Sequence, residues 1–388
     1  MRVLLVQTLA RGGIAQYAYQ LARALAGSRC QVILLAPPDY ELASRMPARI
    51  SALRFLPRLI PCASLARRLS AKPLRWFVIG LSSIIDAHRL LNISFTLKPA
   101  VIHIQGGHPM DIVYLLAARL AGVPVIYTAH NVLPHRPAFH HLPVYRLTYS
   151  LPHFIIVHTH DGRARLLDLF HLRPQRVKVI AHPPHDGLFD PRHYPTFAEA
   201  RACLGLKNDD KIVLFFGQIR PNKDLPSLLR AVAQVRHTQP NVRLLVAGQP
   251  LGSMRDVMSL IRQLGLASAV TLHLRYLPLH EVPNYFQAAD VIALPYLTVT
   301  QSGVLALALA FDKPVVATHV GGLPELARSA GIGSLVPPQD SAALAESISA
   351  QLYSPSRATK QPNVLRWPEA ARLTALLYSE ALAAFAQN

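Results

Sequence analysis

Short apolar runs recur along this chain of 388 residues, and the gaps between most of them hold helix-length stretches. A first series falls at residues 3–6, 32–35, 101–104, 125–127, 154–157 and 177–180. A second falls at 212–216, 242–247, 270–272, 291–294, 315–317 and 333–336. Strands that are apolar on both sides must be covered on both faces, and parallel strands need long crossover connections. The pattern therefore predicts an α/β fold made of doubly wound parallel sheets. A loop rich in Pro, His and Asp at 182–195 parts the two series and places a boundary near residue 190. The expected layout is a Rossmann-like domain over 1–190 and a second over 191–365, facing each other across a central cleft. A last helix over 366–388, beginning near Trp367-Pro368, is expected to cross back onto the first domain.

Charge is unevenly spread. Residues 1–190 hold 22 Lys+Arg against 8 Asp+Glu, and the remainder hold 18 against 13. A basic first half points to an anionic partner such as phospholipid or a lipid diphosphate. Nucleic acid is not expected, because no basic motif interleaved with aromatic residues accompanies the charge. Between about residues 56 and 95, Arg58, Arg67, Arg68, Lys72, Arg75 and Arg89 mix with Trp76, Phe77 and aliphatic residues around the single acid Asp86. Such a segment suits a helix lying on an anionic bilayer. Cys30, Cys62 and Cys203 are too scattered for a disulfide frame or a zinc site, which fits a reducing compartment. No run reaches the roughly 18 apolar residues of a membrane span. The chain is expected in the cytoplasm, peripheral on the inner face of the cell membrane.

Four segments at the ends of expected strands carry candidate chemistry. Gly12 and Gly13 follow the first strand and open a helix, where backbone N–H groups can meet an anion. His130, in Thr128-Ala129-His130-Asn131-Val132, follows the fourth run, at the strand end where α/β sheets place reactive groups. Gly217-Gln218-Ile219-Arg220-Pro221-Asn222-Lys223-Asp224 puts two cations in a turn before a helix, a clamp for a diphosphate. Thr300, Gln301, Ser302, Gly303 and Val304 open a buried helix, with Thr300 or Ser302 as its cap, and the next strand leads through Gly321-Gly322 to Glu325.

As a set, with their order and spacing, these motifs resemble the retaining glycosyltransferases of the GT-B fold, group 1, also called family 4. The resemblance rests on GGI near the start, TAHNV, FFGQIRPNK and the long segment from Leu294 to Glu325. It implies a nucleotide-diphosphate sugar bound mainly by the second domain and an acceptor entering from the first, here a lipid-linked glycan precursor. By position, Arg220 and Lys223 would hold the donor diphosphate. Main-chain groups of Ser302, Gly303 and Val304 would touch the distal phosphate or the sugar, Gln301 would belong to the same donor site, Glu325 would be a polar donor contact, and Tyr276 would pack on the nucleobase. Gly12 and Gly13 would approach the donor from the first domain, and His130 would sit near the sugar. With His130, Arg220 and Lys223 as the catalytic groups, the expected reaction is metal-independent and keeps the anomeric configuration. No cofactor is implied.

The chain also departs from the family pattern. Many members carry two glutamates eight positions apart at the start of this helix, and here those positions are Val299 and Leu307. The familiar arginine after the strand glycine is replaced by Gln218, with Arg220 two positions on. These losses motivate an alternative: a catalytically silent GT-B subunit that binds a partner glycosyltransferase or a nucleotide. A sugar-nucleotide epimerase is weaker, since it needs acidic residues near the sugar.

Overall fold

The computed structural model describes residues 1–28, 30–54, 72–107, 110–133, 141–331, 333–353 and 364–387. The basic segment expected to lie on a bilayer falls in part outside them, as do His135, His140 and the polar stretch 354–363. The chain divides into two compact units: residues 1–183 with 365–388, and residues 184–364.

The first unit is built on a seven-stranded sheet. Its strands are β1 (Arg2–Gln7), β2 (Gln31–Ala36), β3 (Ser51–Arg54), β4 (Val101–Gly106), β5 (Val125–Ala129), β6 (Phe154–Val157) and β7 (Val177–Val179). They pair in the order β3-β2-β1-β4-β5-β6-β7, all parallel. Six of the seven coincide with apolar runs; β3, Ser-Ala-Leu-Arg, does not. An edge strand covered on one side needs no continuous apolar run, so period alone cannot reveal it.

Period-2 alternation gives this sheet two different faces. Leu4, Val6, Ile102, Ile104, Tyr127 and Val157 pack into one core with Leu90, Leu115 and Tyr149 of the covering helices. On β4 the residues between them, His103 and Gln105, are fully buried on the opposite face. The last helix, Trp367–Ala386, packs there against helix Gly13–Ala26 and β5. Its Tyr378 hydroxyl lies 2.7 Å from His103 Nδ1, and Lys178 bridges to Glu380 at 2.9 Å.

The second unit has β8 (Lys211–Phe216), β9 (Val242–Ala247), β10 (Val270–His273), β11 (Val291–Leu294), β12 (Val315–Thr318) and β13 (Ser334–Val336). They pair in parallel in the order β10-β9-β8-β11-β12-β13. In both units the strand order reverses beside the first strand, between β1 and β4 and between β8 and β11. Such a switch point opens a crevice at the carboxyl ends of the strands, where open α/β sheets bind ligands. Among the described residues no helix is long and apolar enough to cross a membrane.

A buried guanidinium fixes the start of β8. Arg201 is completely buried, and it donates to the carbonyls of Lys207, Asn208, Asp210 and Ala288 and to Asp290 Oδ2 at 2.6 Å. The same carboxylate oxygen accepts from Ile212 N at 2.6 Å. Removing this buried cation leaves the partly exposed Asp290 carboxylate and four carbonyls without their donor, and breaking a buried pair costs up to about 3–5 kcal/mol. Arg201→Met is therefore expected to lower the unfolding free energy of the second unit, read from guanidinium denaturation, by up to about that amount. Unchanged denaturation curves would contradict the role given to Arg201.

Candidate functional site

The most concentrated site lies in the second unit, at the switch point. After β8 the chain passes through Gly217 and Arg220 into a 3-10 turn, Pro221–Lys223, and then into helix Leu225–Thr238. Asp224 caps that helix, accepting from Ser227 N at 3.3 Å. Asn222 ties the turn to the loop after β11: its carbonyl accepts from Leu297 N at 2.8 Å, and its amide donates to Thr298 O at 3.1 Å. The two cations are thereby held beside the segment that opens helix Gly303–Ala310.

Three separate stretches converge on the Lys223 amine. It lies 3.5 Å from Phe216 O and 5.0 Å from the centre of the Tyr296 ring. A side-chain carbon at Gly217 would stand 3.1 Å from Lys223 Nζ and 3.3 Å from Val304 Cγ2. Burial, and secondarily the charge of Arg220, pulls the Lys223 ammonium down to about 7. Burial also lowers the Arg220 guanidinium from its ordinary value. Arg220 donates through Nη2 to Gln218 Oε1, while its buried Nε has no hydrogen-bond partner among the described residues. Two crowded cations and an unsatisfied donor make a place where an anion is favoured.

Ser302, rather than Thr300, is the cap of helix Gly303–Ala310: its hydroxyl accepts from Leu305 N at 3.2 Å. Gln301 beside it has a buried Oε1 without a partner among the described residues. The loop after β12 closes onto this segment, since a side-chain carbon on Gly321, at φ +52°, would fall 1.7 Å from Val299 O. Only glycine fits there, and it leads directly into helix Leu323–Ala330, whose first turn carries Glu325. Tyr276 follows β10, which β9 separates from β8, so it stands further out along the sheet. Val299 is half-buried and Leu307 is buried, and no carboxylate replaces the missing pair at these two positions.

The first unit carries the remaining candidates. Gly12 N donates to Glu41 Oε1 at 2.9 Å, so a carboxylate of the chain itself meets the glycine turn; Gly13 begins the helix. His130 lies at the end of β5, almost fully buried, with Nε2 3.0 Å from Gln105 Oε1 and Nδ1 3.2 Å from His158 Nε2. Tyr17 packs against His130, His158, His182 and Trp367 at 4.8–5.2 Å between ring centres. Burial drives His103 and His158 down to about 3 and His182 to about 4, and it lowers His130 well below its ordinary value. These imidazoles are neutral at pH 7. They act as oriented dipoles and not as cations or proton stores. Among the described residues no group of three or more His, Cys, Asp or Glu side chains is arranged to hold a metal ion.

Several of these contacts are invisible in sequence. Tyr296 and Glu41 sit in ordinary loops, and only chain folding brings Glu41 to Gly12 across 29 residues. The histidine cluster left a faint trace, as polar residues at the ends of apolar runs, but its partners come from four strand ends and the last helix.

Two parallel Rossmann-like sheets, each with candidate ligand groups at its switch point, define the GT-B class of fold. Comparison with known proteins then supplies the family. The model for glycosyl transferases group 1 matches residues 210–353, and that for glycosyltransferase family 4 matches residues 11–183. The chain belongs to this glycosyltransferase family. D-inositol 3-phosphate glycosyltransferase of Mycobacterium avium is 36% identical over 212 residues, which cover 53% of this chain and 47% of that protein. The chain thus spans about half the length of the curated relatives it matches. Sucrose-phosphate synthase from Thermosynechococcus elongatus superposes with a TM-score of 0.75 at 22% identity, covering 99% of each chain. Anabaena HepE in complex with UDP-glucose gives a TM-score of 0.69 at 18% identity, covering 100% of this chain and 98% of that one. These two likenesses bear on the fold.

The crowding around Gly217 yields a direct test. At φ +92° an alanine is strained by about 1–3 kcal/mol, and its methyl presses on Lys223 and Val304. Gly217→Ala is expected to lower unfolding stability by that range. An alanine variant as stable as wild type would show that the amine is not held against Gly217.

Proposed function

We propose that this protein is a glycosyltransferase that moves a sugar from a nucleotide-diphosphate donor to an acceptor, with the second unit holding the donor. The observation that carries this reading is the convergence of Lys223, Arg220 and the Ser302–Val304 helix start at the β8/β11 switch point. As the glycosidic bond breaks, charge gathers on the leaving diphosphate. The two cations and the helix N–H groups oppose that charge without needing to reorganise. Gln301 and Glu325 are assigned to sugar hydroxyls, Tyr276 to the base, and Gly12, Gly13 and His130 to the first unit's side of the reaction. The reaction is proposed to need no metal and to keep the anomeric configuration, the leaving phosphate oxygen taking the acceptor's proton. A lipid-linked glycan precursor at the inner face of the cell membrane is the acceptor class that fits the basic first half. Val299 and Leu307 support the second reading, a silent subunit that binds a nucleotide without turnover.

Release of nucleoside diphosphate from UDP-, GDP- and ADP-sugars, with host membrane extract as acceptor, separates the two. Arg220→Ala and Lys223→Ala are each expected to lower the rate by on the order of 10²-fold. A folded wild-type protein that releases nothing from any donor would favour the silent subunit. Proton NMR of the product gives the anomer, and inversion would overturn the retaining mechanism.

Lys223 makes donor binding depend on pH. In the free protein its amine loses a proton near pH 7, whereas a bound diphosphate favours the ammonium. Binding therefore takes up a proton above pH 7, and affinity falls as pH rises, by up to about tenfold per unit. Titration calorimetry with the preferred nucleoside diphosphate between pH 6.5 and pH 9 (roughly the window in which the site changes charge) measures the slope. Lys223→Arg, which keeps its charge, is expected to flatten it. A slope unaltered in that variant would assign the proton to another group.

A further inference from the structure

Helices Lys72–Leu97, Asp111–Leu120 and His141–Ser150 lie side by side on the apolar face of the first unit's sheet, the middle one packed against both neighbours. Their inner residues, such as Leu90, Leu115 and Tyr149, belong to the core. The opposite sides ought to be polar if they faced only water. They are not. Leu81 is 49% exposed, Ile84 57% and Phe95 57% on the first helix; Leu116 is 43% and Leu120 72% exposed on the second; Leu147 is 47% exposed on the third. With Leu142, 39% exposed on the third helix, these are seven of the sixteen large exposed apolar residues described, gathered on one layer of one unit. Single exposed leucines need no explanation, but a shared apolar layer marks an interaction surface.

The outward charges of these three helices have one sign. Asp86 and Asp111 are the acidic residues of the three helices, and both are buried, at 3% and 0% exposure. Arg119 and Arg146 stand outward among the leucines. We infer that the outer face of these three helices is a docking surface for an anionic lipid bilayer. The leucines, Ile84 and Phe95 enter the boundary between head groups and acyl chains, while the arginines meet lipid phosphates. A second copy of this chain fits less well, because a two-fold contact through the same face brings two faces of like, positive charge together. The surface lies in the first unit and stands whatever the fate of the donor-site reading.

Flotation of the full chain with vesicles tests the assignment. Wild type is expected to float with vesicles of equal parts phosphatidylglycerol and phosphatidylcholine, to stay behind with pure phosphatidylcholine, and to be released by raised salt. Arg119→Glu/Arg146→Glu and Leu120→Gln/Leu147→Gln change exposed positions, the first giving up one surface contact of Arg119 with the His153 ring, so both are expected to keep the wild-type unfolding midpoint. Each pair is expected to lower partitioning at least tenfold, as loss of one basic contact alone costs roughly five-fold. Absence of wild-type flotation, equal binding to both vesicle types, or variants that bind like wild type would overturn the proposal. So would a concentration-dependent dimer in light scattering that Leu120→Gln/Leu147→Gln abolishes, since that would give the face to a second copy. Sugar transfer to a water-soluble acceptor is expected to be unchanged in both variants, which keeps this test separate from that of the donor site.

Discussion

A parallel sheet covered on both faces is the constraint from which the rest of this structure follows. Its strands all run the same way, so every carboxyl end opens on one edge, and each crossover must return around a face of the sheet. Where the strand order reverses, beside β1 and beside β8, neighbouring crossovers leave on opposite faces and the edge stays open. The Lys223 turn and the Ser302 helix start flank one of these openings, while Gly12 and Gln105 flank the other. Chemistry gathers at these places because the backbone there is free to turn toward a ligand.

The two openings are furnished differently. At β8 the groups are cationic, crowded and incompletely satisfied: a lowered lysine, an arginine with a spare donor, and a capped helix start. Such a set is poised for an anion that brings its own charge. At β4 to β6 the groups are neutral and mostly satisfied by one another, with His103, Gln105, His130 and His158 forming a buried hydrogen-bonded run. A run of this kind orients its members at little electrostatic cost, and it ties the strand ends to the last helix through Tyr378. The tail of the chain is thus part of the first unit's interior, and its Trp367 and Tyr378 complete a polar layer that the sheet alone leaves open.

The absence of the two glutamates acquires a physical meaning in the fold. Val299 presses its carbonyl toward Gly321, and Leu307 is buried in the helix behind the cap. Leu307 is therefore used for packing, while position 299 meets Gly321 through its backbone carbonyl. The polar groups present at this helix start are Gln301 and Ser302, with the cations across the switch point.

Twelve of the thirteen described strands, the parallel sheets and the place of the four candidate segments at strand ends were legible in the amino-acid sequence, because burial on both faces forces continuous apolar runs. The short edge strand β3 was not, since one covered side leaves no such run. The order of the strands, and hence which loops become neighbours, was settled only by tertiary structure. Thus Asn222 meets Thr298, Glu41 meets Gly12 and Tyr378 meets His103 through contacts that no local pattern encodes. The outward leucines of three helices were equally hidden. Hydrophobic residues read alike in sequence whether they face a core or solvent, and only the packing of their neighbours decides which.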